Sequence, residues 1–158
     1  MRTDLFLAKP AVALAVSAVI AGAAFAQEVN ASDAQWLAVI HGQMVEVADG
    51  SIVVDANPNI IAFTDRPQRD VSLVDLEDFV AAAWGEDGFF VDDPPNAAVA
   101  SAVRDDLDTK IIEMTDVALD NTRMTISMVP LEGDMPRAGD QIILFVDDIP
   151  AVAFAALE

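Results

Sequence analysis

The chain has 158 residues, no cysteine, a single histidine and a formal net charge of −19, from 27 acidic residues against eight Lys and Arg. An exterior this acidic repels nucleic-acid phosphates and anionic lipid, which argues against both as partners. Without cysteine the chain forms no disulfide and carries no lipid-modified cysteine anchor, and the usual multi-histidine or thiolate zinc sites are excluded.

The first 26 residues have the pattern of an export signal. Arg2 and Lys9 give a basic start, the apolar run that follows is too short to span a bilayer, and the AFA at 24–26 fits the small-x-small pattern that signal peptidase cleaves. No later segment is apolar and uncharged for long enough to serve as a membrane anchor. We therefore predict a signal peptide at 1–26 and a single β-rich domain at 27–158, which is periplasmic or secreted.

The chain after the leader begins with β-strand patterns. WLAVIHGQMVEV (36–47) is rich in β-branched residues, and Asp49-Gly50 separates it from SIVVD. A short Asp-Gly between alternating apolar runs predicts a hairpin. Pro58 ends the second strand, and NIIAF (59–63) begins the next one.

One segment has the period of an amphipathic helix. Ser72 is placed to cap it, Asp75 lies three residues further on, and Gly85 ends it. We predict a helix at about 72–84. The apolar stripe of this helix consists of Leu73, Leu76, Phe79, Val80, Ala83 and Trp84.

The second half of the chain returns to strands. AAVASAV (97–103) fits either a helix or a small-residue strand, and the residues alone leave this open. The stretch 109–129 alternates around a turn at Asp120-Asn121, and QIILFV (141–146) predicts a strand covered on both faces. About seven strands and one helix predict a mainly β fold, either a β-sandwich or an open barrel.

The stretch FTDRPQRD (63–70) concentrates positive charge in an acidic chain. Arg66 and Arg69 either form a fork for a ligand carboxylate or phosphate, or pair with the chain's own acids on the helix or at 92–93. The many carboxylates favour internal pairing, from which we expect Arg66→Ala to destabilise the fold. The candidate binding residues are Asp65, Arg66, Arg69, Asp92, Asp93 and Asn96.

A resemblance to a known family rests on two short strings. F-T-D-R-P-x-R, followed by a helix that ends in Trp84 and then by D-P-P-N-A, resembles the core pattern of a family of small exported bacterial proteins without an assigned activity. The resemblance implies that both strings belong to one fold. It supplies no catalytic residue, and it favours a strand at 97–103.

Clustered acids leave a calcium site as an alternative, although we expect no cofactor. The run from Asp55 to Arg66 has the early oxygen spacing of an EF-hand, but Ile60 replaces the required glycine and Arg66 the closing glutamate. A looser Ca²⁺ site has two candidate sets of oxygen ligands. These sets are Asp92, Asp93 and Asn96, or Asp105, Asp106 and Asp108.

The remaining chemistry is sparse. The weakest hypothesis is a hydrolase in which His41 acts as a general base with Asp65. No nucleophile motif accompanies these two residues. We predict an exported acidic β-rich domain that binds an unknown protein or small ligand and does not catalyse a reaction. The alternative is a Ca²⁺- or small-anion-binding protein that uses the 65–69 turn and the 92–96 loop.

Overall fold

A computed structural model describes residues 35–66, 68–101 and 109–151. The predicted signal peptide and the acids at 105–108 lie outside these residues. Within them the fold is mainly β, as the sequence predicts, with eight strands and one short helix. In chain order these are β1 (Gln35–Ala48), β2 (Ser51–Ala56), β3 (Asn59–Thr64), β4 (Val71–Asp75), α1 (Leu76–Trp84), β5 (Asn96–Ser101), β6 (Thr109–Asp120), β7 (Arg123–Gly133) and β8 (Gln141–Pro150).

Six of the strands form a closed barrel. They pair antiparallel in the order β2, β7, β6, β5, β8 and β1, and β1 pairs back with β2 to close the ring. The predicted mainly β fold is confirmed, and its barrel is closed. The two remaining strands, β3 and β4, form a hairpin that extends from β1 and is called the β3–β4 extension below.

The strand β1 belongs to both the barrel and the extension. Its first half pairs with β3 from Trp36 to Val39, and its second half pairs with β2 from Gly42 onward. The strand is interrupted between β2 and β3 at Asn57, whose N–H donates to the carbonyl of His41 at 2.8 Å. Pro58 ends β2 as predicted, since it has no N–H for the ladder. After the break, β3 continues along β1 in place of β2.

The interior of the barrel is filled by alternate residues of its strands. Ile40, Met44, Ile52, Ile126 and Leu144 are each at most 1% exposed. Such alternation follows from the two-residue period of a strand, which directs successive side chains to opposite faces. The apolar core therefore needs no metal or disulfide to explain its formation.

The helix is shorter than predicted, and its predicted cap is wrong. Residues 71–75 form β4, and α1 begins at Leu76. Asp75 is the N-cap, and its Oδ1 accepts from the N–H of Glu77 at 2.8 Å. Ser72 lies within the strand, because the alternating residues around it pair with β3. Gly85 ends the helix as predicted, and its N–H donates to the carbonyl of Ala81.

The turns and the ambiguous segment are settled. The Asp49-Gly50 hairpin is confirmed, with Ala48 opposite Ser51. The second turn lies at 121–122, one residue later than predicted. The predicted preference for a strand at 97–103 is confirmed as far as Ser101, where β5 ends and the described residues break off.

The strand β8 is covered less completely than the sequence suggests. Ile142, Leu144 and Val146 are buried in the barrel, as a strand with an inner face requires. Ile143 and Phe145 are only partly covered on the outer face. The expectation of a strand covered on both faces is therefore correct for one face alone.

Candidate functional site

The turn between β3 and β4 is held by Thr64, a residue that the sequence did not single out. The N–H of Thr64 donates to the carbonyl of Asp70 at 3.0 Å, and the N–H of Asp70 donates to Thr64 Oγ1 at 2.8 Å. The N–H of Arg69 donates to the carbonyl of Asp65, and Arg69 has a positive φ of 59°. Among the described residues of the turn, backbone bonds and one hydroxyl close it, and no charged side chain takes part in these bonds.

The two arginines of the turn do not form the ion pairs that the sequence predicts. Arg66 and Arg69 are exposed, and within residues 35–66, 68–101 and 109–151 neither guanidinium pairs with a carboxylate. The expected pairing with the helix or with Asp92 and Asp93 is therefore wrong for this part of the chain. Thr64 and the backbone already close the turn, so neither guanidinium group is needed to hold it.

The loop before β5 lines a cavity at the end of β8. Asp93 and Asn96 line a cavity of about 150 Å³ together with Asp148 and Pro150 at the end of β8. Arg66 and Arg69 do not line this cavity. Of the six candidate binding residues, only Asp93 and Asn96 are among the residues that line this cavity.

The metal and hydrolase alternatives gain no support from the geometry. Among the described residues no three His, Asp or Glu side chains lie together as a metal site. His41 is exposed on β1 opposite Ile143. Asp65 follows Thr64, which pairs with Trp36. His41 lies five residues further along β1 than Trp36, or roughly 16 Å, so His41 and Asp65 are not neighbours.

Trp84 occupies the core position that its place on the helix predicts. Its ring packs against Phe79 and Phe90, with centroids 6.1 Å and 5.1 Å apart. Its Nε1 is buried and reaches no acceptor within the described part of the chain. A cavity of about 350 Å³ lies beside it, between α1 and β6, with Glu77 and Asn121 in its lining.

An exposed apolar surface lies on the β3–β4 extension. Ile61 pairs with Leu73, and Phe63 pairs with Val71, so that all four side chains share the outer face. Val71 and Leu73 are 73% and 70% exposed, compared with 42% for Ile61 and 37% for Phe63. These four residues are called the apolar face below. Sequence reasoning missed it because it assigned Leu73 to the buried stripe of the helix.

The strand β4 also leaves one edge open. It is the last strand of the sheet, and no strand among the described residues pairs with its far side. Thr64 bonds Asp70, and the N–H of Leu76 donates to the carbonyl of Pro58. By the alternation of an antiparallel ladder, even-numbered residues of β4 bond to β3, while Val71 and Leu73 direct their N–H and C=O groups to the open edge.

The comparisons with known proteins give no relative. The chain matches no family model, no curated protein and no solved structure. The resemblance to small exported bacterial proteins therefore stays a prediction. In the part of the chain that the structure describes, no helix is long and apolar enough to cross a membrane.

Proposed function

We propose that the protein is an exported binding domain that makes protein–protein contacts through the apolar face and the open edge of β4. The single observation that carries this proposal is the coincidence of the two features on one hairpin. An extended segment of a partner can add to the open edge as a further strand, with main-chain hydrogen bonds for affinity and side-chain contacts for specificity. The protein then acts by binding and needs no catalytic residue.

The composition of the apolar face supports this proposal. The chain carries a net charge of −19, yet these four side chains are all large and apolar. Single exposed apolar residues are common on protein surfaces, whereas adjacent ones on one face indicate an interaction site. Val71 and Leu73 remain mostly exposed although both belong to a regular strand. Cover by a partner would remove these side chains from water, which favours binding.

The edge of β4 lacks the usual protection against pairing. Natural edge strands carry lysine, proline or a bulge that discourages the addition of another strand. The sequence of β4 is VSLVD, without lysine or proline, and its register with β3 runs without a shift. The only charged residue within the strand is Asp75, at its end. An edge of this kind is suited to receive a strand.

A site-specific photo-crosslinker tests the proposal in cells that export the protein. The reactive residue replaces Leu73 in one variant and Thr125 in a matched control, because Thr125 is exposed on β7 of the barrel. We expect an adduct of defined mass from position 73 and none from position 125. Equal labelling at both positions, or no adduct from position 73, would contradict a contact at the β3–β4 extension.

A further inference from the structure

We propose that the strand received by β4 is β4 of a second copy of the same chain, paired antiparallel about Ser72. This inference rests on the proposed function, since it names the partner at the same edge. Most homo-oligomers are two-fold symmetric dimers in which one surface patch contacts itself. Such a patch must be self-complementary when its direction is reversed. The outer face of β4, together with Arg69 just before it, meets this condition.

The side chains of this patch match in the reversed direction. The outer face of β4 carries Val71, Leu73 and Asp75, and Arg69 precedes the strand in the turn, where its φ is 59°. Antiparallel pairing about Ser72 sets Val71 opposite Leu73 of the second copy, and it brings Arg69 alongside Asp75 of that copy. The two-fold axis repeats both contacts. Apolar residues therefore meet apolar residues, and each basic group meets an acidic one.

The backbone of β4 is compatible with this register. Val71 and Leu73 direct their N–H and C=O groups to the open edge, as the bonds from Thr64 to Asp70 and from Leu76 to Pro58 within the hairpin establish. Each Val71–Leu73 pair across the axis is then a hydrogen-bonded pair. Ser72, at the axis, uses its own backbone groups toward β3 and needs none for the second copy. The pairing does not disturb the existing ladder.

The charges select this register over its neighbour. Pairing about Leu73 instead would set Val71 opposite Asp75 of the second copy and would move Arg69 away from it. On the outer face that register leaves one apolar pair, Leu73 with Leu73 of the second copy, in place of two, and it loses the pair of Arg69 with Asp75. The register about Ser72 also gives Arg69 a partner that it lacks among the described residues of its own chain.

The association is expected to be reversible. Each chain brings a net charge of −19, so the two copies repel each other at long range. The contact consists of one strand edge and a few side chains, which is the lower end of the size range for specific interfaces. The concentration of the protein therefore sets the dimer population.

Sedimentation equilibrium of the exported protein with two charge-reversal variants tests the inference. Arg69→Asp alone sets two carboxylates against each other at both ends of the pair, and Asp75→Arg alone sets two guanidinium groups there. Because two pairs change from attraction to repulsion, each variant should dimerise about 30-fold more weakly than the wild type. An equimolar mixture of the two variants restores both pairs, and we expect a heterodimer of near wild-type affinity.

Two controls separate charge from folding. Asp75 also caps α1, so Asp75→Asn removes the charge while it keeps a good capping residue. Arg69→Asn removes the positive charge, and asparagine tolerates the positive φ at this position. Both neutral variants should dimerise with an affinity between those of the wild type and the reversed variants. Failure of the mixture of reversed variants to associate would overturn the proposed register.

Blocking the open edge gives an independent test. Val71→Pro removes an N–H that faces the open edge and that β3 does not use, and Val71→Thr keeps this N–H with a similar shape. The proline variant should be monomeric with an unchanged melting temperature, while the threonine variant should still dimerise.

The outcomes distinguish the inference from the proposed function. A wild type that stays monomeric up to about 1 mM, a concentration that detects even weak binding, overturns self-pairing. An adduct between position 73 and a different protein would then still support the proposed function. An adduct with twice the mass of the chain, lost in the Val71→Pro variant, supports both.

Discussion

The closed barrel and the β3–β4 extension share the strand β1, but they differ in whether their strands leave an edge open. In the barrel every strand has a partner on both sides, and interior residues such as Ile126 are fully buried. In the extension β4 has one open edge, and Leu73 is 70% exposed. Closure removes the edges that invite further pairing, whereas an open hairpin keeps one. The fold thus separates a region that supplies stability from a region suited to recognition.

The point of division lies in the middle of β1. Val39 is the last residue of β1 that pairs with β3, and Gly42 is the first that pairs with β2. A strand that changes partners there needs the neighbouring backbone to approach closely. A Cβ atom at Gly42 would lie 2.7 Å from the carbonyl oxygen of Asp55, closer than such contacts occur. This glycine therefore leaves room for the close approach of β2 to β1 at the point where the partner changes.

The largest effect should come from the same substitution made in each region. Ile126→Ala removes a fully buried side chain from the barrel, and we expect a loss of about 2–5 kcal/mol in the free energy of unfolding. Ile61→Ala is the matched change in the extension, where the side chain is 42% exposed, and it should cost about 1 kcal/mol or less. Urea denaturation measures both. Equal losses would show that the extension is as important for stability as the barrel.

A smaller loss is expected where the two regions separate. Gly42→Ala places a methyl group against the carbonyl of Asp55 and the side chain of Val54, and overpacking of this kind costs about 1–3 kcal/mol. Gly139→Ala is the control, since its added carbon meets nothing within 4 Å and only its φ of 92° opposes the change. Thermal unfolding should rank Gly42→Ala as the more damaging variant. The reverse order would argue against a tight crossing at Gly42.

The elements of the barrel could be predicted from the sequence because their signals are local. Asp49-Gly50 between alternating runs defines a hairpin whatever surrounds it. The start of α1 could not be predicted in the same way. The segment VSLVDLEDF fits a helical period from Ser72 onward, and only pairing with β3 shows that its first part is a strand. Long-range partners override a local pattern in such cases.

The candidate site was harder to predict for a related reason. Arg66 and Arg69 attract notice as charges, but their internal partners were inferred from the abundance of acids alone. The structure closes the turn through Thr64, whose hydroxyl gives no distinctive sequence signal. The apolar face depends on which side of a hairpin faces solvent, and the sequence does not state this before the pairing of β3 with β4 is known. The sequence shows that these residues are apolar, but it does not show that they are exposed.

The helix cap tests the corrected boundary between the extension and the helix. Asp75→Ala removes the side chain that accepts from the N–H of Glu77, and loss of such a cap costs about 1 kcal/mol. Asp75→Asn should be close to neutral. Ser72→Ala should cost no more than about 0.5 kcal/mol, because Ser72 lies within β4. A greater loss of stability for Ser72→Ala than for Asp75→Ala in thermal unfolding would support the longer helix that the sequence predicts.

The smallest effect should come from Arg66. If this side chain held the turn by internal ion pairs, its removal would leave carboxylates without their partner and would destabilise the fold. Because Arg66 is exposed and pairs with no carboxylate among the described residues, we expect Arg66→Ala to change the free energy of unfolding by no more than about 0.5 kcal/mol. Thr64→Val is the contrasting variant, since it removes the hydroxyl that accepts from Asp70 and should cost about 1 kcal/mol. If thermal unfolding shows a larger loss for Arg66 than for Thr64, the turn depends on charge after all. The expected order instead leaves the arginines of the extension available for a partner, while the hydroxyl and the backbone preserve the shape of the turn.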